Sequence, residues 1–204
     1  MTHTTDNQSF NYLITTWFLN VQMSTMLKNL LGDGVYKVRV VAGFEIVIET
    51  IAKNLYPVIN FLNLHTLCQA ESLMDLICYD SIGKKYRFCL TYNLLSTKFN
   101  FRIRLVSKVN ELNSVLSVMG LFKTANWLER EVFDFFGIFF FGNKDLRRIL
   151  TDYGFKGFPL RKDFPLTGYM DVYYDDNQKR ICYRNLELSQ EYRNFNFSTK
   201  WKIS

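Results

Sequence analysis

The sequence predicts an α+β protein: a two-layer domain with a mixed or antiparallel sheet and flanking helices, followed by an extended C-terminal arm. Three observations predict it. Apolar residues from Tyr12 to Leu31 recur at near-helical spacing. Two-residue alternation replaces that spacing over 35–49 and again over 84–106. From Trp127 to Gly168 the chain then carries five of its ten glycines, two of its three prolines and thirteen charged side chains among aromatics, too broken a mixture for a long helix or a wide sheet. Short elements that hold charges at fixed places against a neighbour are what such a stretch predicts. The boundary falls at Phe136, giving a globular domain over 1–136 and a segment and arm over 137–204 that pack on partners.

Taken in order, Met1 to Ser9 read as a polar tail, and Gly32-Asp33-Gly34 stops the first helix. Val35 to Val41 and Phe44 to Glu49 read as a hairpin turning at Ala42-Gly43. Thr50 to Leu67 is predicted as a helix containing Pro57, and Ser72 to Tyr79 as a strand. Lys84 to Leu95 and Phe99 to Val106 alternate cleanly, which puts Arg102 and Arg104 on the wetter face. A helix is expected from Asn113 to Phe136, with a possible break over 120–126. Gly137 suits the left-handed position that ends a helix. Asn143 to Gly154 reads as a short helix with Asn143 as N-cap, and Arg130 and Asp134 are placed as an i,i+4 brace. Each proline pushes its predecessor out of the helical region, so Gly157 to Pro165 is extended in places. Past Gly168, Tyr169 to Tyr174 alternates weakly, and the last thirty residues are polar, aromatic and without helical periodicity. Their rings (Tyr183, Tyr192, Phe195, Phe197 and Trp201) suit an arm that fills a partner's pockets.

Composition narrows the function. With 204 residues, 48% hydrophobic and 22% charged, the chain can bury a real core. Four cysteines without C-x-x-C spacing and two histidines make a zinc or iron–sulfur site improbable, and small buried thiols are preferred. His65 sits in an apolar stretch and reads as structural. Asp75 and Asp80 invite a metal-pair reading, but no third ligand is near, so turn and strand-edge carboxylates are expected. No GxGxxG, GxxxxGK[ST] or GxSxG is present. The expectation is therefore no catalytic residue, no metal and no cofactor. The greasiest run, Val132 to Phe141, is too short to span a bilayer and contains Asp134. The first basic residue is Lys28, so neither a signal peptide nor an Arg-rich transit peptide is expected, and a mitochondrial role would imply an organelle-encoded protein.

Three motif blocks follow one another at close spacing. The first holds Glu129, Arg130, Glu131, Asp134 and Gly137, and the second holds Asp145, Leu146, Arg147 and Arg148. The third holds Pro159, Leu160, Arg161, Lys162 and Asp163 within GFPLRKDFPLTGY. Together they resemble the signature of the 30-kDa subunit family of respiratory complex I, whose mitochondrial members are also called NADH dehydrogenase subunit 9 and which has bacterial counterparts. One departure is Asn143-Lys144, where the family usually has a His-Pro pair. The resemblance implies a non-catalytic peripheral subunit on the matrix side of the mitochondrial inner membrane. Its partners would be other complex I subunits, chiefly the 49-kDa subunit, held in register by the C-terminal segment. Arg147, Arg148, Arg161, Lys162 and Asp163 are the expected charged contacts, with Phe158 and Phe164 as anchors.

Charge placement raises a rival reading. Residues 1–100 hold 8 basic and 7 acidic groups, 101–168 hold 11 and 7, and 169–204 hold 6 and 5. A basic surplus interleaved with aromatics also suits an RNA-binding or ribosomal protein. No RRM or KH motif appears, however, and the carboxylates flanking Arg130 favour protein pairing over phosphate.

Overall fold

The computed structural model describes residues 3–42, 45–191, 193 and 195. It groups the chain into two compact units, Met1–Lys162 and Asp163–Ser204.

In the first unit, α1 (His3–Leu31) precedes the hairpin β1 (Val35–Val41) and β2 (Glu45–Ile51). Then come α2 (Leu55–Leu64), β3 (Ser72–Asp80), β4 (Phe88–Ser96) and β5 (Phe101–Val109). Last are β6 (Val115–Leu116), α3 (Ala125–Phe136) and β7 (Phe140–Phe141). The five long strands form one sheet in the order β1-β2-β5-β4-β3. Within this sheet the β2–β5 pair is parallel and the others antiparallel, with Ile46 opposite Ile103 and Ile48 opposite Leu105. The α+β expectation with a mixed sheet is met.

Strand alternation sorts the side chains. Ile46, Ile48, Leu90, Tyr92, Leu94, Ile103 and Leu105 share one face and are almost wholly buried. On that face they join Leu27 of α1, Val132 and Phe136 of α3, and Leu55, Val58, Ile59 and Leu62 of α2. The α2 residues fall at i, i+3, i+4 and i+7, the stripe that turns one helical face inward, and each contributes about 2 kcal/mol by leaving water.

The helix begins at His3, inside the expected polar tail. The helix expected over 50–67 shortens to Leu55–Leu64, because Thr50 and Ile51 end β2 and a 3₁₀ turn follows. Pro57 causes no break, since it lies in the first turn where amides lack intrahelical partners. The helix expected from Asn113 is corrected to β6, turns and α3. The amides of Val115 and Ser117 bond to the carbonyls of Phe139 and Phe141, segments about 24 residues away that no local pattern reveals. Asn143 to Gly154 is also not helical. Asn143 does cap, but through an Asx turn: its Oδ1 accepts the Asp145 amide at 3.0 Å.

The second unit contains β8 (Met170–Asp175) and β9 (Arg180–Asn185), an antiparallel hairpin within the stretch expected as an extended arm, with β8 on the weakly alternating residues. Asp171 accepts both Nε and Nη2 of Arg184, an exposed pair worth little in stability. Tyr183 lies in β9, while Tyr192, Phe197 and Trp201 fall outside the described residues.

Candidate functional site

The three motif blocks meet at the C-terminal half of α3. Gly137 ends that helix at φ +75°, and its amide bonds to the Phe133 carbonyl at 2.9 Å. The last carbonyls of a helix have no intrahelical donor. Here the third block supplies two: the Leu160 amide reaches Phe135 O at 3.2 Å, and Arg161 Nε reaches Phe136 O at 2.6 Å. A guanidinium at this end also matches the helix dipole.

Arg161 is held from several sides. Its Nη1 pairs with Glu111 Oε1, and its plane lies 4.5 Å from the Phe158 ring centre and 5.3 Å from that of Phe88. Arg148 covers the same Phe158 at 5.0 Å, so two guanidinium groups contact one ring. Glu111 also meets Arg87, which grips Asp80 with two donors at 2.8 and 3.0 Å. The Lys162 amide completes the shell of Asp80 at 3.0 Å. Hydrogen bonds from the Arg87 guanidinium hold the Asp80 carboxyl below its ordinary range, outweighing the opposing effect of burial.

Asp134 binds the second block. Its Oδ2 accepts the amides of Ile149, Leu150 and Thr151 at 3.2, 2.7 and 2.9 Å. Its Oδ1 accepts Thr151 Oγ1 at 2.6 Å and Arg148 Nη1 at 3.2 Å. Burial pushes this carboxyl up, but the Thr151 hydroxyl and the three amides outweigh it and hold the pKa low. Those amides cannot also close helical turns, which is why 143–154 is not a helix. The expected Arg130–Asp134 brace is absent. Arg130 instead lies over the Trp127 ring at 4.8 Å and donates Nε to Arg147 O at 3.4 Å. Each partner of the imagined pair thus binds the second block separately.

Glu129 is fully buried and accepts from Ser117 Oγ (2.7 Å), the Val118 amide (2.8 Å) and Asn143 Nδ2 (2.9 Å). Asn143, at the site of the family departure, therefore joins the first block to the second. Burial raises the Glu129 pKa and the three hydrogen bonds only partly offset it. In the pH window between its unfolded and folded values the native state binds the extra proton, so stability from this group falls as pH rises. Asp80 and Asp134 act oppositely: their stabilisation is present above the ordinary Asp pKa of about 4 and is lost as pH falls through their lower folded values. The expected thermal profile rises as pH falls toward the ordinary Glu value of about 4.3, then drops below about pH 4. Glu129→Gln should flatten the rise and leave the drop; a variant profile parallel to the parent above about pH 5 would overturn this assignment.

The residues expected at an interface divide into two groups. Arg148, Phe158 and Arg161 are bound within the chain, with Arg161 only 14% exposed. Arg147, pairing with Asp145, and Lys162 are exposed, as are Glu131 and, in the second unit, Asp163. Phe164 packs edge-on to Tyr169 at 5.4 Å within that second unit. Sequence reasoning missed Arg87, Glu111 and Ser117, isolated polar residues that no motif marks, and gave no role to Thr151 within the second block. His65 accepts the Leu67 amide and lies beside Phe61, consistent with its structural reading. Among the described residues no helix is long and apolar enough to cross a membrane.

Comparison with known proteins gives concordant matches. The family described as "Respiratory-chain NADH dehydrogenase, 30 Kd subunit" matches residues 48–170. NADH-ubiquinone oxidoreductase subunit 9 of Reclinomonas americana is 52% identical over 158 residues, 78% of each chain. NADH dehydrogenase [ubiquinone] iron-sulfur protein 3 of Oryza sativa subsp. japonica is 49% identical over 72% of this chain and 78% of that protein. Among solved structures, the trypsin-resistant fragment of Nqo5 aligns over 61% of this chain and 98% of its own, with a TM-score of 0.52 at 22% identity. A chain of an archaeal membrane-bound sulfane sulfur reductase aligns over 71% of this chain and 85% of its own, with a TM-score of 0.60 at 18% identity. At those identities the two structures speak for the fold alone.

Proposed function

Because this chain belongs to the 30 Kd subunit family of respiratory-chain NADH dehydrogenase, we propose that it is a non-catalytic subunit of the peripheral arm of NADH:ubiquinone oxidoreductase. It works in mitochondria, on the matrix side of the inner membrane. Electrons pass through other subunits, and this one holds the 49-kDa subunit and its neighbours in register. The coupled proton translocation belongs to the complex as a whole. The observation that carries the reading is the convergence of all three motif blocks on the end of α3, where buried carboxylates set a loop surface instead of a reaction centre. Residues 137–204 supply the surface that faces partners. Arg147 and Lys162, and in the second unit Asp163 and Phe164, are the contact positions; Arg148, Phe158 and Arg161 act by positioning the first two.

Native gel electrophoresis of gently solubilised membranes tests this, with the protein probed beside an in-gel NADH dehydrogenase stain. One large, active, co-migrating band is expected. Migration with ribosomal particles, abolished by nuclease, would replace the reading with RNA binding. Arg161→Ala removes a hydrogen bond to Phe136 O, an ion pair and a stacked cation, so we expect the full chain to lose about 2 kcal/mol of stability. The assembled band should weaken with it. Unchanged melting together with a lost band would mean that Arg161 contacts the partner directly.

A further inference from the structure

The core side of the five-stranded sheet carries the helices, and the opposite side carries a charged lattice. Strand register places Lys37 and Arg39 of β1, Glu45 and Glu49 of β2, and Arg102, Arg104 and Lys108 of β5 on that side. On these three strands five cations stand against two carboxylates; Asp75 of β3, in register with Asn93 and through it with Arg104, adds a third carboxylate to the face and leaves a surplus of two. The carboxylates also sit lower. Glu45 and Glu49 are 17% and 22% exposed, whereas Arg39, Arg104 and Lys108 are 43–57% exposed. Arg39 and Lys108 pair with Glu49, and Arg104 with Glu45, so the acids orient the bases from beneath. Lys37 and Arg102 are exposed and make no ion pair among the described residues. Farther along the same face, Ile77 and Tyr79 of β3 are half-exposed.

We infer that this sheet face is a second docking surface, for an acidic face of another protein subunit; the inference rests on the subunit reading above. Three strands of seven, seven and nine residues, spaced about 4.8 Å apart, present a patch roughly 10 Å by 20 Å, the width of one helix. A positive outer layer beside Ile77 and Tyr79 resembles a protein interface, where a polar rim adjoins an apolar centre. A polyphosphate surface fits less well, because Glu45 and Glu49 lie among the cations. An acidic segment instead meets Lys37 and Arg102 while the existing pairs remain.

The test is amine acylation of the purified, assembled complex and of the free full-length chain, followed by carbodiimide coupling and peptide mass spectrometry. We expect loss of acylation at Lys37 and Lys108 in the complex, while exposed Lys123 reacts alike in both. Carbodiimide should join Lys37 or Lys108 to an Asp or Glu of another subunit. Lys37→Gln with Arg102→Gln, which breaks no internal pair, should lower incorporation about tenfold with melting unchanged. Equal acylation of Lys37 in both states, with the chain present in an active complex, overturns the docking surface and leaves the subunit reading standing. A chain absent from that complex overturns the reading itself. Protection removed by nuclease or by lipid extraction also overturns the proposal, assigning the face to nucleic acid or to lipid.

Discussion

Asp134→Ala is expected to destabilise the chain by roughly 3–5 kcal/mol, which denaturant unfolding of the full chain would measure. The carboxylate is wholly buried and accepts three consecutive amides, a threonine hydroxyl and a guanidinium. Removing it strands the Arg148 charge and three backbone donors together, and leaving buried groups unpaired weighs more than losing the bonds themselves. Asp134→Asn should fall in between, because its amide group would face N–H donors. A loss below about 1 kcal/mol for the alanine variant would mean that water or local rearrangement satisfies residues 149–151.

Gly137→Ala should cost roughly 2–5 kcal/mol. The backbone there is left-handed, which accounts for about 1–2 kcal/mol with any L side chain. Beyond that, a Cβ would lie 2.6 Å from the Phe158 ring and 2.8 Å from Arg161 Nη2. Neither can move freely: the ring is in contact with two guanidinium groups, and Arg161 is bonded to the helix end. Gly154 provides the comparison, since it has φ +69° with nothing within 4 Å of its would-be Cβ. Gly154→Ala should show only the conformational part. Equal melting losses in the two variants would remove the packing argument and leave backbone strain alone.

Much of the fold was legible in the sequence. Periodicity located the long strands, the first hairpin, the end of α3 at Gly137 and the wet face with Arg102 and Arg104, because each signal lies within one element. The three motif blocks marked the region where the site lies. Their internal wiring was not legible. The i,i+4 spacing of Arg130 and Asp134 suggested a local brace, yet both turn to the second block, whose competing partners (a carbonyl for Arg130, amides for Asp134) lie about 15 residues farther on. The predicted helix over 143–154 failed for the same reason: Asp134 takes the amides that the helix required. Arg161 read as a partner contact because nothing local showed that Glu111, fifty residues earlier, would meet it.

The sequence by itself therefore determined the α+β class, the strand alternation and the family, since these depend on local periodicity and on motifs read along the chain. Only the tertiary structure decided which helices cover the apolar side of the sheet, and which arginines of the motif blocks are held inside and which face outward. Burial and hydrogen-bond competition set those outcomes, and they exist only once distant segments meet.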